Sequence, residues 1–483
     1  MNKFDVVVIG GGVVGGMILR ELTKYDLKVA MIEKNCDVSM GQSKANSGIV
    51  HAGFDAPTGS NKAKFNVMGA KIMQSVCSEL GVKYKNNPSF VVAFSNEELE
   101  TLKELKVRGE NNGVDDLSII SKEELLKFEP NVSDEAVGAL YAKTAGIVCP
   151  YNLAIASIGN AMDNGAELVL NFDTVKVEKQ DGLIKLTSSD NREVLTKLVI
   201  NSAGAGSQRF ANMFNDYSFT IEFRRGEYML LDRESGSLVN STLFFAPTKK
   251  GKGVLVAKTV DGNVLLGPTS TEDGNENPIT TDEGFAFIRE KAGKMIKNIP
   301  YYNVITSFSG VRAFCDWHDF VIEFSKVESN LINIAGIESP GLTSAPAIAK
   351  HVVEELVAKR LTLNSNKNFN GKREAEYFFK DLSIEEKNEV IKNDSTYGKI
   401  VCRCEVITEG EIRRAIRQNP KATTVDGVKL RTRAGMGRCQ GGFCQSRIVE
   451  ILAEENGVSV LDVTKNGKGS EILVEESKWK TLI

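Results

Sequence analysis

The chain holds 483 residues, 42% of them hydrophobic, which is too long for one ordinary core and suits about two to four domains. Its 60 basic and 63 acidic residues leave a formal charge of -3, which excludes a global field for nucleic acid or an anionic membrane, so an anionic ligand must be caught locally. No apolar run is long enough to span a bilayer, the first strand at residue 4 leaves no room for a signal peptide, and eight cysteines are too few for a disulfide framework, so a cytoplasmic chain with reduced thiols or a metal site is expected.

Residues 4–34, FDVVVIGGGVVGGMILRELTKYDLKVAMIEK, read as strand, glycine turn, helix and second strand. The β-branched run ending at Ile9 suits a parallel strand buried on both faces, and Gly10, Gly12 and Gly15 complete GxGxxG at its end. That spacing predicts a dinucleotide site: Gly10 for the tight turn, Gly12 for close approach of a pyrophosphate, Gly15 for helix packing, with Glu33 at the end of the second strand for a ribose. Val14 and Lys34 flank these positions and join the candidate set. The small-residue stretch 41–64, with Ser43, Ser47, Gly48, Ile49 and His51, is too poor in apolar residues to build a core and is expected to run against a ligand or in a connection.

Helices are predicted over 63–80, 96–111, 121–128 and 152–164, and a strand over 90–94; Ser121 and Glu124 form a capping-box pattern. Period-two alternation over 167–200 predicts an antiparallel meander running into a strand that ends at Ala203 and Gly204. Strands over 221–231, 254–259 and 263–267 belong to a second sheet, 308–324 reads as further strand, and 331–337 with a helix over 343–359 repeats the strand, glycine turn and helix of the beginning. One domain is therefore assembled from distant pieces with another inserted between them. Polar residues 362–372 read as linker, and a separate module begins near Lys399.

Four of the eight cysteines lie in that module: Cys402 and Cys404 as CxC, Cys439 and Cys444 as CxxxxC. Four thiolates can enclose a [2Fe-2S] cluster or bind a structural zinc. Arg438, Gly441 and Gly442 would bring a cation and backbone amides to the sulfurs. Cys36, Cys77, Cys149 and Cys315 have no partner spacing and read as packed thiols.

The segments VVVIGGGVVGG, SKANSGIVHAG, VINSAGAG and INIAGIESPGLTSAPAIA resemble the FAD-dependent oxidoreductases of the D-amino-acid oxidase and glycerol-3-phosphate dehydrogenase superfamily, over about residues 3–360. The cysteine module resembles bacterioferritin-associated ferredoxin domains, and VDGVKLRTRAGMGRCQGGFC resembles the tail of the large subunits of anaerobic glycerol-3-phosphate dehydrogenases. The fold this implies is α/β, a Rossmann-like FAD-binding domain (1–75, 150–210 and 310–362) interleaved with an α+β substrate domain (76–149 and 211–309), then a linker (363–395) and a small four-cysteine iron-sulfur domain (396–483). By the same resemblance Val175 lies near the adenine, Gly336 belongs to the cofactor site, and Gly341, Leu342 and Thr343 bring a helix N-terminus to the flavin pyrimidine edge.

Oxidising an alcohol by hydride transfer requires a base for the hydroxyl proton, and His51 is the candidate. Arg312 resembles the arginine that grips an acidic substrate group, Lys258 is a second candidate cation, and either Arg224 or Arg225, with Tyr228 on the face of Arg224, can reach the pocket. His318 reads either as a neighbour of this site or as structural, and His351 as a packed surface residue. The resemblance implies a dehydrogenase of a small anionic secondary alcohol, sn-glycerol 3-phosphate first and L-2-hydroxyglutarate as the alternative, which sends electrons through the cluster to a partner protein, a second flavoprotein or an iron-sulfur subunit, that could hold it at a membrane. An amine or imino-acid dehydrogenase and a non-enzymatic electron-transfer subunit are further readings.

Overall fold

Val6, Val7 and Val8 are fully buried because strand Asn2–Ile9 has a parallel neighbour on each edge, with helix residues such as Ile18 and Ile158 on the face of Val6 and Val8, and Phe172, Ile184, Leu186 and Phe210 on the face of Val7. In the computed structural model, which describes residues 2–247, 253–272, 274, 276–374 and 378–475, those neighbours are Val29–Ile32 and Glu193–Asn201. Glu167–Val169 extends the parallel sheet beyond Val29–Ile32. The far edge of Glu193–Asn201 is shared: its first half pairs antiparallel with Leu183–Ser188 of the meander, and its last residues pair parallel with Leu331–Ala335. The last strand of the sheet is thus contributed by chain that returns from the second body.

That second body is a sheet in the order Val304–Cys315, Ile221–Leu231, Val264–Gly267, Leu255–Lys258, Thr242–Phe245, Ser89–Ala93, Gly138–Ala142 and Leu117–Ser121. The parallel pairing of Thr242–Phe245 with Ser89–Ala93 stitches its two sequence-distant halves together. Helix Asp282–Met295 packs Ile288, Ala292 and Met295 on one face, and Leu102 and Leu105 of helix Asn96–Asn111 pack on the other. A small sheet of Ile49–Val50, Gly146–Val148 and Tyr84–Asn86 joins the two bodies.

The helix expected over 63–80 starts at Asn61, where the Ser60 side chain caps it, and the Ser121 and Glu124 capping box is present. The strand expected over 308–324 is two, Val304–Cys315 and Val321–Phe324, because the chain turns between them with His318 at φ 59. The helix expected to 359 is α-helical only over Gly341–His351 and goes on as a π turn and a 3-10 turn. The strands Leu117–Ser121, Thr242–Phe245 and Tyr84–Asn86 were not legible from alternation, being short or buried on both faces.

The stretch expected as a linker is tied along the first body. Asn364 and Asn366 exchange hydrogen bonds with the backbone after the first helix, Asn370 with Asn160 and Asn164, and Arg20 donates to the Gly371 carbonyl. Its polar composition satisfies its own backbone rather than keeping it solvated. Beyond it, helices Glu409–Arg417, Val425–Thr432 and Gln445–Asn456 enclose a core around Ile407, Ile412, Val428, Ile448 and Leu452. Among the described residues no helix is long and apolar enough to cross a membrane.

The cysteine module is locked on by charge. Arg431 makes a two-pronged bridge to Asp37 at 2.8 and 2.8 Å, with both side chains buried. Breaking one partner of such a pair leaves the other charge buried alone. Asp37→Ala is expected to lower the unfolding free energy in urea by about 3 kcal/mol, and Asp37→Leu combined with Arg431→Met to cost less than either single change.

Candidate functional site

Where the two bodies meet, a cavity of about 640 Å³ runs from the first glycine turn to the second sheet. Gly10 turns the chain at φ +102, and a Cβ there would lie 2.6 Å from the Ser202 carbonyl oxygen. The following helix begins at Val13, whose amide donates to Ser43 Oγ at 2.9 Å, so the helix N-terminus and Ser43 share one end of the cavity. Glu33 holds the other side of the turn, accepting from the Gly11 amide at 2.7 Å and from Asn35 at 2.8 and 2.6 Å.

Of the positions expected to bind the dinucleotide, Gly10, Gly12, Val14, Glu33, Lys34, Ser43, Ser47, Ile49, Ala203, Gly204, Gly341 and Leu342 line this cavity. Gly15, Gly48, Gly336 and Thr343 stand behind the wall instead. A Cβ on Gly15 would meet the Gly10 oxygen at 2.2 Å, so it serves helix packing. Thr343 is fully buried; its hydroxyl accepts from the His51 amide at 2.9 Å and donates to the Ile49 carbonyl at 3.3 Å. Val175 turns its side chain to solvent, 49% exposed, and the wall there is Phe172, Asp173 and Thr174. Thr174 Oγ1 and Gln42 Nε2 are buried polar atoms with no hydrogen-bond partner, and their residues both line the cavity. Such orphaned groups, with a helix N-terminus and a ribose-type carboxylate, fit a polar nucleotide cofactor.

At the opposite end stand His51, Lys62, Arg224, Tyr228, Phe244, Arg312, His318, Glu338 and Ser339. The His51 backbone is fixed from both sides, by Thr343 at its amide and by Asn66 Nδ2, which donates to its carbonyl at 2.6 Å. Its ring lies 5.8 Å from that of Phe244, with Nε2 3.4 Å from Ser339 Oγ. Arg312 donates to the Thr269 carbonyl at 3.0 Å and hydrogen-bonds the buried Tyr228 hydroxyl, as does Ser47. Burial pushes the Tyr228 phenol up, and the Arg312 charge only partly offsets it. Lys62 is paired with Glu338 at 2.9 Å and Arg224 with Glu272 at 2.8 Å.

Strand alternation decides two candidates. Arg224 and Tyr228 line the cavity, whereas Arg225 is buried and faces Glu227 at 3.4 Å. Lys258, expected as a cavity cation, is corrected by the same rule: Leu255 lines the cavity, so Lys258, three residues on, lies on the opposite face, where its charge acts on Glu129. His351 sits 5.2 Å from the Phe65 ring and outside the cavity. Sequence reasoning missed Lys62, Glu338 and Ser339; the only signal was their place in the small-residue stretch and in the IESPG turn before helix Gly341–His351.

The four module cysteines form two pairs, Cys404 with Cys439 at 3.5 Å and Cys402 hydrogen-bonded to Cys444. The hydrogen bond from the Cys444 thiol pulls the Cys402 thiol down from its ordinary value, against its burial. Gly437 must be glycine at this approach, since a Cβ would lie 2.4 Å from that of Cys404. Among the described residues no three His, Cys, Asp or Glu side chains gather as around one ion. Two sulfur pairs suit the two irons of a [2Fe-2S] cluster rather than a single zinc.

A family model for FAD dependent oxidoreductases matches residues 5–355, and one for the BFD-like [2Fe-2S] binding domain matches residues 400–454. A glycerol 3-phosphate dehydrogenase of Caloramator mitchellensis is 47% identical over 477 residues, spanning 98% of this chain and 99% of that protein. An L-2-hydroxyglutarate dehydrogenase of Arabidopsis thaliana is 27% identical, over 74% of this chain and 84% of its own length. Among solved structures, the dithionite-reduced L-alpha-glycerophosphate oxidase of Mycoplasma pneumoniae with FAD bound superposes with a TM-score of 0.74 at 31% identity, covering 77% of this chain and 99% of that one. With the glycine turn, cavity and paired thiols in place, these matches show that the chain belongs to the FAD-dependent oxidoreductase family and carries a BFD-like [2Fe-2S] domain at its C-terminal end.

Proposed function

We propose that this oxidoreductase is a dehydrogenase that converts sn-glycerol 3-phosphate to dihydroxyacetone phosphate and sends the electrons to a partner protein. The observation that carries the reading is the charge pattern at the cap end of the cavity. Lys62 and Arg224 each have a carboxylate partner, whereas among the described residues Arg312 bonds only neutral groups, the Thr269 carbonyl and the Tyr228 hydroxyl. An arginine so placed, with N–H groups to spare, is the anchor for a phosphate or carboxylate. The 47% identity to a glycerol 3-phosphate dehydrogenase over nearly the whole of both chains favours the phosphate.

Bound FAD would supply the two-electron acceptor and the [2Fe-2S] cluster a one-electron outlet. His51 takes the hydroxyl proton at an imidazole nitrogen, and its fixed backbone keeps the ring from drifting away from the carbinol. Ser339, 3.4 Å from Nε2, orients the ring. Phe244 closes the apolar side and excludes water. A one-electron carrier protein, in solution or at a membrane surface, takes the electrons from the cluster.

The test is anaerobic mixing of the loaded protein with glycerol 3-phosphate, L-2-hydroxyglutarate and L-proline in turn. Bleaching of the flavin by glycerol 3-phosphate is expected. Bleaching by one of the other two alone would reassign the substrate, and bleaching by none would favour an electron-transfer subunit. His51→Ala is expected to slow flavin bleaching by about 10²–10⁴-fold with FAD retained, the usual share of a general base. Cys402→Ser should abolish the cluster's electron paramagnetic resonance signal while substrate still bleaches the flavin.

A further inference from the structure

The cysteine module meets the two other bodies at Arg433, a buried side chain on a left-handed residue at φ 69. Its guanidinium bonds groups from all three: Glu405 of the module at 3.0 Å, Asp261 at 2.7 Å and Asn263 at 3.3 Å beside the second sheet, and the hydroxyl of Tyr151 at 3.3 Å. Glu405 directly follows the ligand Cys404, so the junction positions the cysteine loop itself. Four bonds from one planar fork hold a geometry that a single ion pair would leave loose.

Tyr151 is the point of contact with the flavin side. It lies in the first turn of helix Pro150–Asp163, immediately after strand Gly146–Val148. The Val148 amide donates to the Gly48 carbonyl at 2.8 Å, and Ser47 and Ile49 on either side of Gly48 line the cavity. In the other direction the Tyr151 hydroxyl donates to Met436 Sδ at 3.4 Å. Met436 is followed by Gly437, which is pressed against Cys404, and the ligand Cys439 comes three residues after Met436. Covalent segments joined by two hydrogen bonds therefore run unbroken from the cavity wall to a cluster ligand.

We propose that the Tyr151 and Met436 contact is the bridge by which electrons pass from the flavin cavity to the cluster of the same chain, with Arg433 as its positioning residue. The two electrons taken from a substrate cross one at a time. With both groups bound, each electron would oxidise the reduced flavin by one unit and reduce the cluster by one, and a one-electron acceptor protein would take it on before the next. No bond or proton moves at the bridge. Burial holds the Tyr151 phenol well above its ordinary value, so it stays a neutral spacer. The inference rests on the two cofactors and not on the substrate assignment.

A laser flash with a deazaflavin photoreductant puts electrons on the flavin of the full, loaded chain without any substrate, and the cluster's visible band then reports their arrival. Met436→Ala is expected to slow that arrival by about tenfold, equivalent to about 1.4 kcal/mol of barrier, with the cluster's resonance spectrum unchanged. The volume-conserving Met436→Leu should restore most of the rate. Arg433→Lys should slow arrival with the same spectrum, since the cluster stays intact while its approach to Tyr151 loosens. If Met436→Ala fails to hold a cluster, Tyr151→Phe decides, with a slowing of threefold or more expected. Wild-type arrival rates in Tyr151→Phe, or in a Met436→Ala protein with its cluster intact, would overturn the bridge.

Discussion

One buried hydroxyl holds the reactive end of the cavity together. Strand Ile49–Val50 is two residues long and pairs through a single edge, so it cannot fix the histidine that follows it. Thr343 supplies the second edge by accepting from the His51 amide and donating to the Ile49 carbonyl. Because Thr343 sits in the first turn of helix Gly341–His351, the same contact fixes His51 relative to Gly341 and Leu342 on the cavity wall. The helix in turn is seated on helix Asn61–Glu79 at Gly69, where a Cβ would lie 2.0 Å from the Thr343 oxygen. Together with the pairing of Leu331–Ala335 on Glu193–Asn201, this seam closes a long excursion of chain through the second sheet.

Charge plays the corresponding part for the cysteine module. The net charge of the chain is close to balance, but the buried arginines Arg431 and Arg433 are each matched to carboxylates from other bodies. Buried pairs of this kind contribute less to stability than to fixing one arrangement against looser ones. Their effect here is to keep the sulfur pairs facing a set place on the flavin body, so that distance between the two redox sites is a property of the fold rather than of a swinging tether.

Much of this was legible in the residues. The glycine turn with Glu33, the meander and the CxC and CxxxxC pairs are local patterns, and local patterns are what a sequence displays. The side to which a strand residue points is not local. Lys258 read as a cavity cation because nothing in VLVAKT reveals which face looks inward; only the pairing with Val264–Gly267, and Leu255 on the wall, settles it. Lys62, Glu338 and Ser339 reach the site through tertiary placement, and the polar run after residue 362 read as a tether because side-chain amides that bond a neighbouring backbone look the same in sequence as amides that bond water. Val175 lies at a bulge between Thr174 and Lys176, where the register that would have aimed it inward is broken.

The proposed electron path joins the flavin cavity to the sulfur pairs within one chain. It is tested most directly by measuring, after anaerobic mixing with saturating glycerol 3-phosphate, the rate of cluster reduction across a wide range of protein concentrations. Transfer within one chain gives a first-order rate that does not change with concentration. A rate that rises in proportion to concentration would contradict it, because the electrons would then be passing between molecules.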